Sequence, residues 1–360
     1  MNLHIMQWFD PFVLIFMGMA LVLNIGVAYL WHKKFYRNLG LKTYKAIQRI
    51  HLNETPRLGG FIFILSLVSF VAFSNANESI QLLKITLLSL VPIIFVGIKE
   101  DLFHNVEPAI RLLALLFVGW LFRVQFTGPL PVLTDVPLIG KLLLLQGGIS
   151  IFYILSMTAV ANGMNLIDGV NGLCGAVALS ILSALLFLSY KTSDITMLSL
   201  IFSVILFLMP FMLMNYPFGW IFLGDLGAYS LGLIVSMLTI FLFGRHPEIS
   251  PWGAVLILIY PVTEVLFSLL RRMVKGVSIY HPDRAHLHLK LFHFLRPQPH
   301  YKKIANALVT PALSALWLFP LLSISWVYQK PLFIWIAIIL FIAFYFILYK
   351  LVPDAQKKQS

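Results

Sequence analysis

The chain has 360 residues, of which 60% are hydrophobic and only 11% charged, with a net charge of +12. A mean hydropathy of +0.90 excludes a soluble globular domain. The single cysteine, Cys174, excludes an intramolecular disulfide or a thiolate metal cluster and reads as a small packing residue at a helix start.

Apolar runs recur along the whole chain, most of them long enough to cross a hydrocarbon core of ~30 Å as helix. In chain order they fall at about 11–31, 58–75, 82–98, 112–126, 146–161, 173–190, 197–214, 226–243, 252–270, 307–327 and 331–349. In lipid the backbone must satisfy itself, and these runs lack the polar–apolar alternation of barrel strands. The expected fold is therefore all-α: a polytopic transmembrane helical bundle of about eleven helices, forming one domain over 1–360. Pro92, Pro210, Pro261 and Pro320 lie in or at the ends of spans and predict kinks. The first span is too long for a cleaved signal and is expected to be retained.

Lysine and arginine set the orientation. Segment 32–57 holds seven and segment 271–306 holds eight; with Lys99, Arg111 and the C-terminal tail, one side collects 20 of 26. The positive-inside rule makes that side cytoplasmic, with the N-terminus outside and the C-terminus inside. On this topology RLGG (57–60), KEDLFHNVEP (99–108), NGMNLIDGVNG (162–172), NYPFGWIFLGD (215–225) and the loop 271–306 all face one compartment. The opposite loops read as short, ordinary polar connections.

The candidate chemistry lies in those loops. Glu100 and Asp101 are adjacent at the end of the third span. Asp168 sits in NLIDGVNGL and Asp225 in FLGDLGAY, between glycines at a helix start, where capping is the competing reading. Converging carboxylates are hard oxygen ligands suited to Mg²⁺ or Mn²⁺. Asn162, Asn165 and Asn171 surround Asp168 and can read a base edge or a hydroxyl, or simply form turns. In HPDRAHLHL the two-residue spacing of His286 and His288 suits a structured loop better than a helix face. With Arg284 and Lys290, these histidines make an anion-binding loop. Glu264 lies inside the ninth span, two helical turns before Arg271, which leaves a functional and a structural reading open. Carboxylates for a divalent cation beside a basic loop for anions describe phosphoryl transfer.

These residues resemble the polyprenyl-phosphate N-acetylhexosamine-1-phosphate transferase family. The resemblance runs from PRLGG at 56–60 to HPDRAHLHL at 281–289, and is most specific in NGMNLIDGVNGL, FLGDLGAYSLG and PVTEVLFSLLRRMVKGVSIYHPDRAHLHL. It implies transfer of a sugar-1-phosphate from a UDP-N-acetylhexosamine to undecaprenyl phosphate at the inner face of a bacterial plasma membrane. UMP is released, and a cell-surface glycan such as O-antigen is begun. Nucleic acid is not an expected partner; membrane lipids and a second copy of the chain are.

By the same resemblance Glu100 and Asp101 serve the metal and lipid-phosphate region, and Asp225 is a Mg²⁺ ligand together with Asp101. Asn165 and Asp168 line the nucleotide site, while Arg284, His286 and His288 face the donor phosphates. Four positions depart from the family pattern. Glu100 lengthens the first acidic arm, Asn171 replaces an aspartate, Ala228 loses a hydroxyl and Leu289 replaces a histidine. Such changes resemble the O-antigen-type branch. The rival reading, a transporter or lipid flippase, requires ionisable or broken-helix sites at the bilayer midplane, where this sequence is almost wholly apolar.

Overall fold

The computed structural model describes residues 12–32, 55–131, 133, 140, 143, 145, 147–276, 285–302 and 304–353. Among these, secondary structure is helical throughout. The helices are α1 (Phe12–His32), α2 (Gly59–Phe73), α3 (Glu78–Ser89), α4 (Val91–Phe103), α5 (Pro108–Gln125), α6 (Gly148–Ile167), α7 (Leu173–Lys191) and α8 (Ile195–Asn215). They continue as α9 (Gly224–Arg245), α10 (Trp252–Ile257), α11 (Ile259–Val274), α12 (Leu287–Leu295), α13 (Ala305–Ala312), α14 (Ser314–Val327) and α15 (Pro331–Leu351). Each apolar run read from the sequence coincides with one helix or with two consecutive ones. Among the described residues, seven helical segments (α13 and α14 together forming one) are long and apolar enough to cross a membrane, or eight if α3 and α4 form one bent span. The chain is a polytopic helical membrane protein.

The prolines behave in two ways. The α3–α4 axis bends by 53° at Leu90, just before Pro92, which occupies the first turn of α4, where its missing N–H costs nothing. A second break separates α10 from α11 at Leu258, with Pro261 in the first turn that follows. Pro210 and Pro320, by contrast, lie inside the continuous helices α8 and α14.

Helix α9 is the axis of the bundle, and its span is buried along its whole length. A helix apolar on every face must be covered on every face. Because lipid tails are as apolar as leucine, close packing rather than water exclusion holds such helices together, and small residues permit it. A Cβ on Gly60 would lie 2.3 Å from the Cα of Gly227, and one on Gly232 would lie 2.7 Å from the Cα of Ala161. Thus α2 and α6 touch α9 backbone to backbone. Within α9, Ser236 and Thr239 bond back to their own helix, at the Gly232 carbonyl (2.7 Å) and that of Val235 (2.7 Å).

The far end of α9 is less ordinary than its sequence suggests. Asp194 caps α8 through the Met197 N–H (3.0 Å) and accepts from Arg245 (2.8 Å), with a His246 ring nitrogen at 2.9 Å. Arg245 also reaches Glu78 at the start of α3, and Thr196 donates to that same carboxylate (2.9 Å). An ionic staple, not a plain polar connection, closes this end.

Candidate active site

At the opposite end, chain segments far apart in sequence are sewn together by backbone hydrogen bonds. The Gly59 N–H donates to the Phe222 carbonyl (2.9 Å), that of Gly60 to Leu223 (2.9 Å), and that of Phe222 to Pro56 (2.8 Å). The RLGG and FLGD segments are therefore paired, which sets Arg57 over the first turn of α9. Gly224 sits at φ +76°, and a Cβ there would lie 2.5 Å from Asp101 Oδ2, so the position requires glycine twice over.

Asp101 supplies the cap that α9 lacks. Its Oδ1 accepts from the Asp225 N–H (2.8 Å) and its Oδ2 from the Leu226 N–H (3.0 Å). A carboxylate from α4 thus satisfies orphan donors at the positive end of a 22-residue helix. The capping role that the sequence offered to Asp225 belongs to Asp101. Asp225 is freed for side-chain contacts and accepts from two guanidiniums: Arg57 on Oδ1 (2.8 Å) and Arg111 on Oδ2 (2.7 Å). Asn165 also hydrogen-bonds to it. Arg57 lies 3.6 Å from Asp101 and 3.3 Å from a ring nitrogen of His104, which adopts φ +53° at the end of α4. Burial by itself would lower the pKa of Arg57, but Asp225 and Asp101 outweigh it and hold the guanidinium well above its usual range. Glu100 accepts from the Val106 N–H (2.9 Å) and lies 3.7 Å from Arg111, so the longer arm at this position ties down the turn after α4.

Asp168 follows the last residue of α6. Burial raises its carboxyl to about 7, with Arg57 opposing the shift and Asp225 adding to it. Beyond it, Asn171 acts as a staple. Its N–H donates to Asn306 (2.6 Å), its carbonyl accepts from Thr310 (2.6 Å), and its amide donates to the Pro217 carbonyl (2.9 Å). An aspartate could not donate that last bond, which accounts for the asparagine here. Asn162 turns back along α6 to the Thr158 carbonyl (3.0 Å).

The histidine segment differs from a loop, because α12 begins at Leu287 and His286 occupies its N-cap position. His286 and His288 are both buried, and their rings lie nearly parallel (14°) with centroids 5.8 Å apart. His288 Nε2 abuts Gly169, where a Cβ would come within 2.7 Å. This brings the histidines beside the Asp168 turn. Burial first, then His286, holds the His288 imidazole well below its usual pKa and hence neutral. Lys290 points elsewhere, donating to the Tyr349 carbonyl (2.9 Å) with its ammonium 4.0 Å from that ring's centre. Leu289 is buried against Gly169, where its apolar side chain needs no hydrogen-bond partner. Arg284 lies outside the described residues.

The donor set can be tested against a divalent cation. Glu100, Asp101, Asp168 and Asp225 offer hard oxygens of the kind a divalent cation takes. As arranged, no three ligating residues converge on one point among the described residues, and both Asp225 oxygens are held by guanidiniums. Both Asp101 oxygens are likewise occupied, by the Asp225 and Leu226 N–H groups, so an ion here would have to displace a present partner. Sequence reading missed Arg57, Arg111 and His104 as site members. In the sequence the first two read only as topological charge, although the RLGG context of Arg57 carries a signal.

Fold and site together define a membrane-embedded helical bundle with a carboxylate–arginine–histidine centre at one end. Residues 83–243 match glycosyl transferase family 4. The chain is 25% identical over 265 residues to a probable undecaprenyl-phosphate N-acetylglucosaminyl 1-phosphate transferase of Bacillus subtilis (strain 168), covering 73% of this chain and 72% of the relative. It is 24% identical over 323 residues (88% and 84%) to the undecaprenyl-phosphate alpha-N-acetylglucosaminyl 1-phosphate transferase of Escherichia coli (strain K12). A phospho-N-acetylmuramoyl-pentapeptide-transferase of Levilactobacillus brevis is 24% identical over 252 residues (66% and 76%). Over residues 83–243 the chain is similar to glycosyl transferase family 4.

Proposed function

We propose that this protein transfers an N-acetylhexosamine-1-phosphate from a UDP-sugar to undecaprenyl phosphate at the cytoplasmic face of the plasma membrane, beginning a cell-surface glycan such as O-antigen. An acceptor phosphate oxygen attacks the donor β-phosphorus. The bond from that phosphorus to the bridging oxygen breaks, and UMP leaves with the released electron pair. The observation that carries this reading is the meeting of Arg57, Arg111, Asp101 and Asp225 at one end of the bundle, beside Asp168 and two buried histidines. The arginines suit the acceptor phosphate, since guanidinium pairs bidentately with phosphate oxygens. His286, His288 and Asn165 suit the donor side. Asp225 and Asp101 would hold Mg²⁺ (or Mn²⁺), which when bound would neutralise diphosphate charge. The excess of lysine and arginine read on this side of the membrane supports a cytoplasmic position for this end, where UDP-sugars are found.

The test uses purified protein in detergent with Mg²⁺, undecaprenyl phosphate and a panel of UDP-N-acetylhexosamines, reading UMP release. We expect release that requires lipid and metal, identifies the sugar, and falls at least about 100-fold in Asp225→Asn, as for loss of a charge-stabilising group. Folded, lipid-binding protein that releases no UMP with any donor would overturn the reading.

A further inference from the structure

We propose that Glu264 is a positioning residue, one that fixes the His286 ring and through it the donor end of the site. The inference rests on the transferase reading. Glu264 lies in α11 and is 1% exposed. An ionisable group buried at that depth is costly unless paired, so its partner indicates its purpose. That partner is not a residue on its own helix. Glu264 Oε2 lies 3.4 Å from His286 Nδ1, 22 residues on and across the segment that joins α11 to α12. The same carboxylate also interacts with the buried Tyr345 through a side-chain hydrogen bond and with Tyr260 electrostatically.

The contacts beyond His286 form a relay of orientation. A carboxylate at Nδ1 selects the tautomer protonated there and holds the ring in plane, leaving Nε2 as the atom available to a ligand. The His288 ring stacks on His286, and neither of its nitrogens has a partner among the described residues. His288 in turn abuts Gly169, next to Asp168. A buried histidine with both nitrogens unsatisfied, set beside a turn carrying a carboxylate, is a group waiting for a polar ligand. The chemistry fits an anionic nucleotide diphosphate. Glu264 therefore anchors to a membrane helix the histidine pair that would otherwise ride on the short α12.

A double-substitution cycle on the full-length protein tests this. The variants are Glu264→Gln, His286→Asn and the pair, with dissociation constants for UMP and UDP-N-acetylglucosamine measured by calorimetry and KM values for donor and acceptor. Glu264→Gln is expected to weaken donor binding about tenfold while leaving the acceptor KM within about twofold, and to have no further effect once His286 is asparagine. Independent, additive effects on donor affinity, or an equal rise in both KM values, would sink the proposal, since a merely structural carboxylate behaves that way. If Glu264→Gln cannot be purified folded, Glu264→Asp, which keeps the charge but shortens the reach, carries the same cycle. Wild-type protein that binds donor and shows the coupling yet releases no UMP would refute the transferase reading and leave the positioning role standing.

Discussion

Arg57 shows how one residue changes meaning between sequence and structure. In the sequence it is one of seven basic residues in segment 32–57. In the fold its guanidinium touches Asp225, lies 3.6 Å from Asp101 and meets the His104 ring, with a third of its side chain still exposed. A cation held on two sides and open on a third can accept an anion without reorganising. Arg57→Gln is expected to raise the KM for undecaprenyl phosphate at least about tenfold, because Asp225 and Asp101 lose a shared counter-charge as well as the phosphate its partner. Steady-state kinetics with the donor saturating would show it, and an unchanged acceptor KM would remove Arg57 from the acceptor site. Arg57→Lys should recover only part of the loss, since an ammonium is a compact point charge without the planar fork that spans separate partners.

Among the elements, α9 sets the geometry, and its glycines are where the site is made or lost. Gly60 and Gly227 cross with no side chain between them, so a methyl at either meets backbone that cannot rotate away. Gly60→Ala is expected to cost about 1–3 kcal/mol from overpacking. It should also pull RLGG off the start of α9, lowering activity together with Tm. Gly26→Ala is the control, because nothing lies within 4 Å of a Cβ there. Equal Tm values for the two variants in detergent would show that α2 and α9 have room to separate. The sequence displayed these glycines but not their pairing, since residues 60 and 227 are joined only when two distant helices pack.

At the scale of the molecule, α9 is pinned at both ends: by Asp101 at its N-terminus and by the Asp194–Arg245–His246–Glu78 group at its C-terminus. Burial would raise the Asp194 carboxyl, but the Met197 N–H, Arg245 and His246 together hold it below the usual 3.8. A depressed carboxylate contributes stability that is present above its unfolded pKa and lost as pH falls through its folded value. Asp194→Asn should therefore lower stability near neutral pH by about 1–2 kcal/mol, a figure reduced for partial exposure. The gap from wild type should close below about pH 4, toward the folded pKa. Thermal unfolding across pH 3–8 measures this, and a gap independent of pH would remove the ionic staple from the account. The far end thus stabilises the bundle, while the near end holds the candidate site.

The amino-acid sequence by itself determined the class of protein and which polar residues are candidates for its chemistry. Long apolar runs admit only membrane helices, and the carboxylates, asparagines and histidines gather in loops that charge bias places on one side. Those are local or additive properties, readable without knowing which helix touches which. The tertiary structure alone decided the division of labour: Asp101 caps α9, Asp225 faces two arginines, Asn171 staples loops and Glu264 meets a histidine instead of staying on its own helix. Each of these depends on contacts between segments from 20 to more than 100 residues apart. Such partners are chosen by how close the glycines let the helices approach, and neither periodicity nor motif spacing encodes that distance.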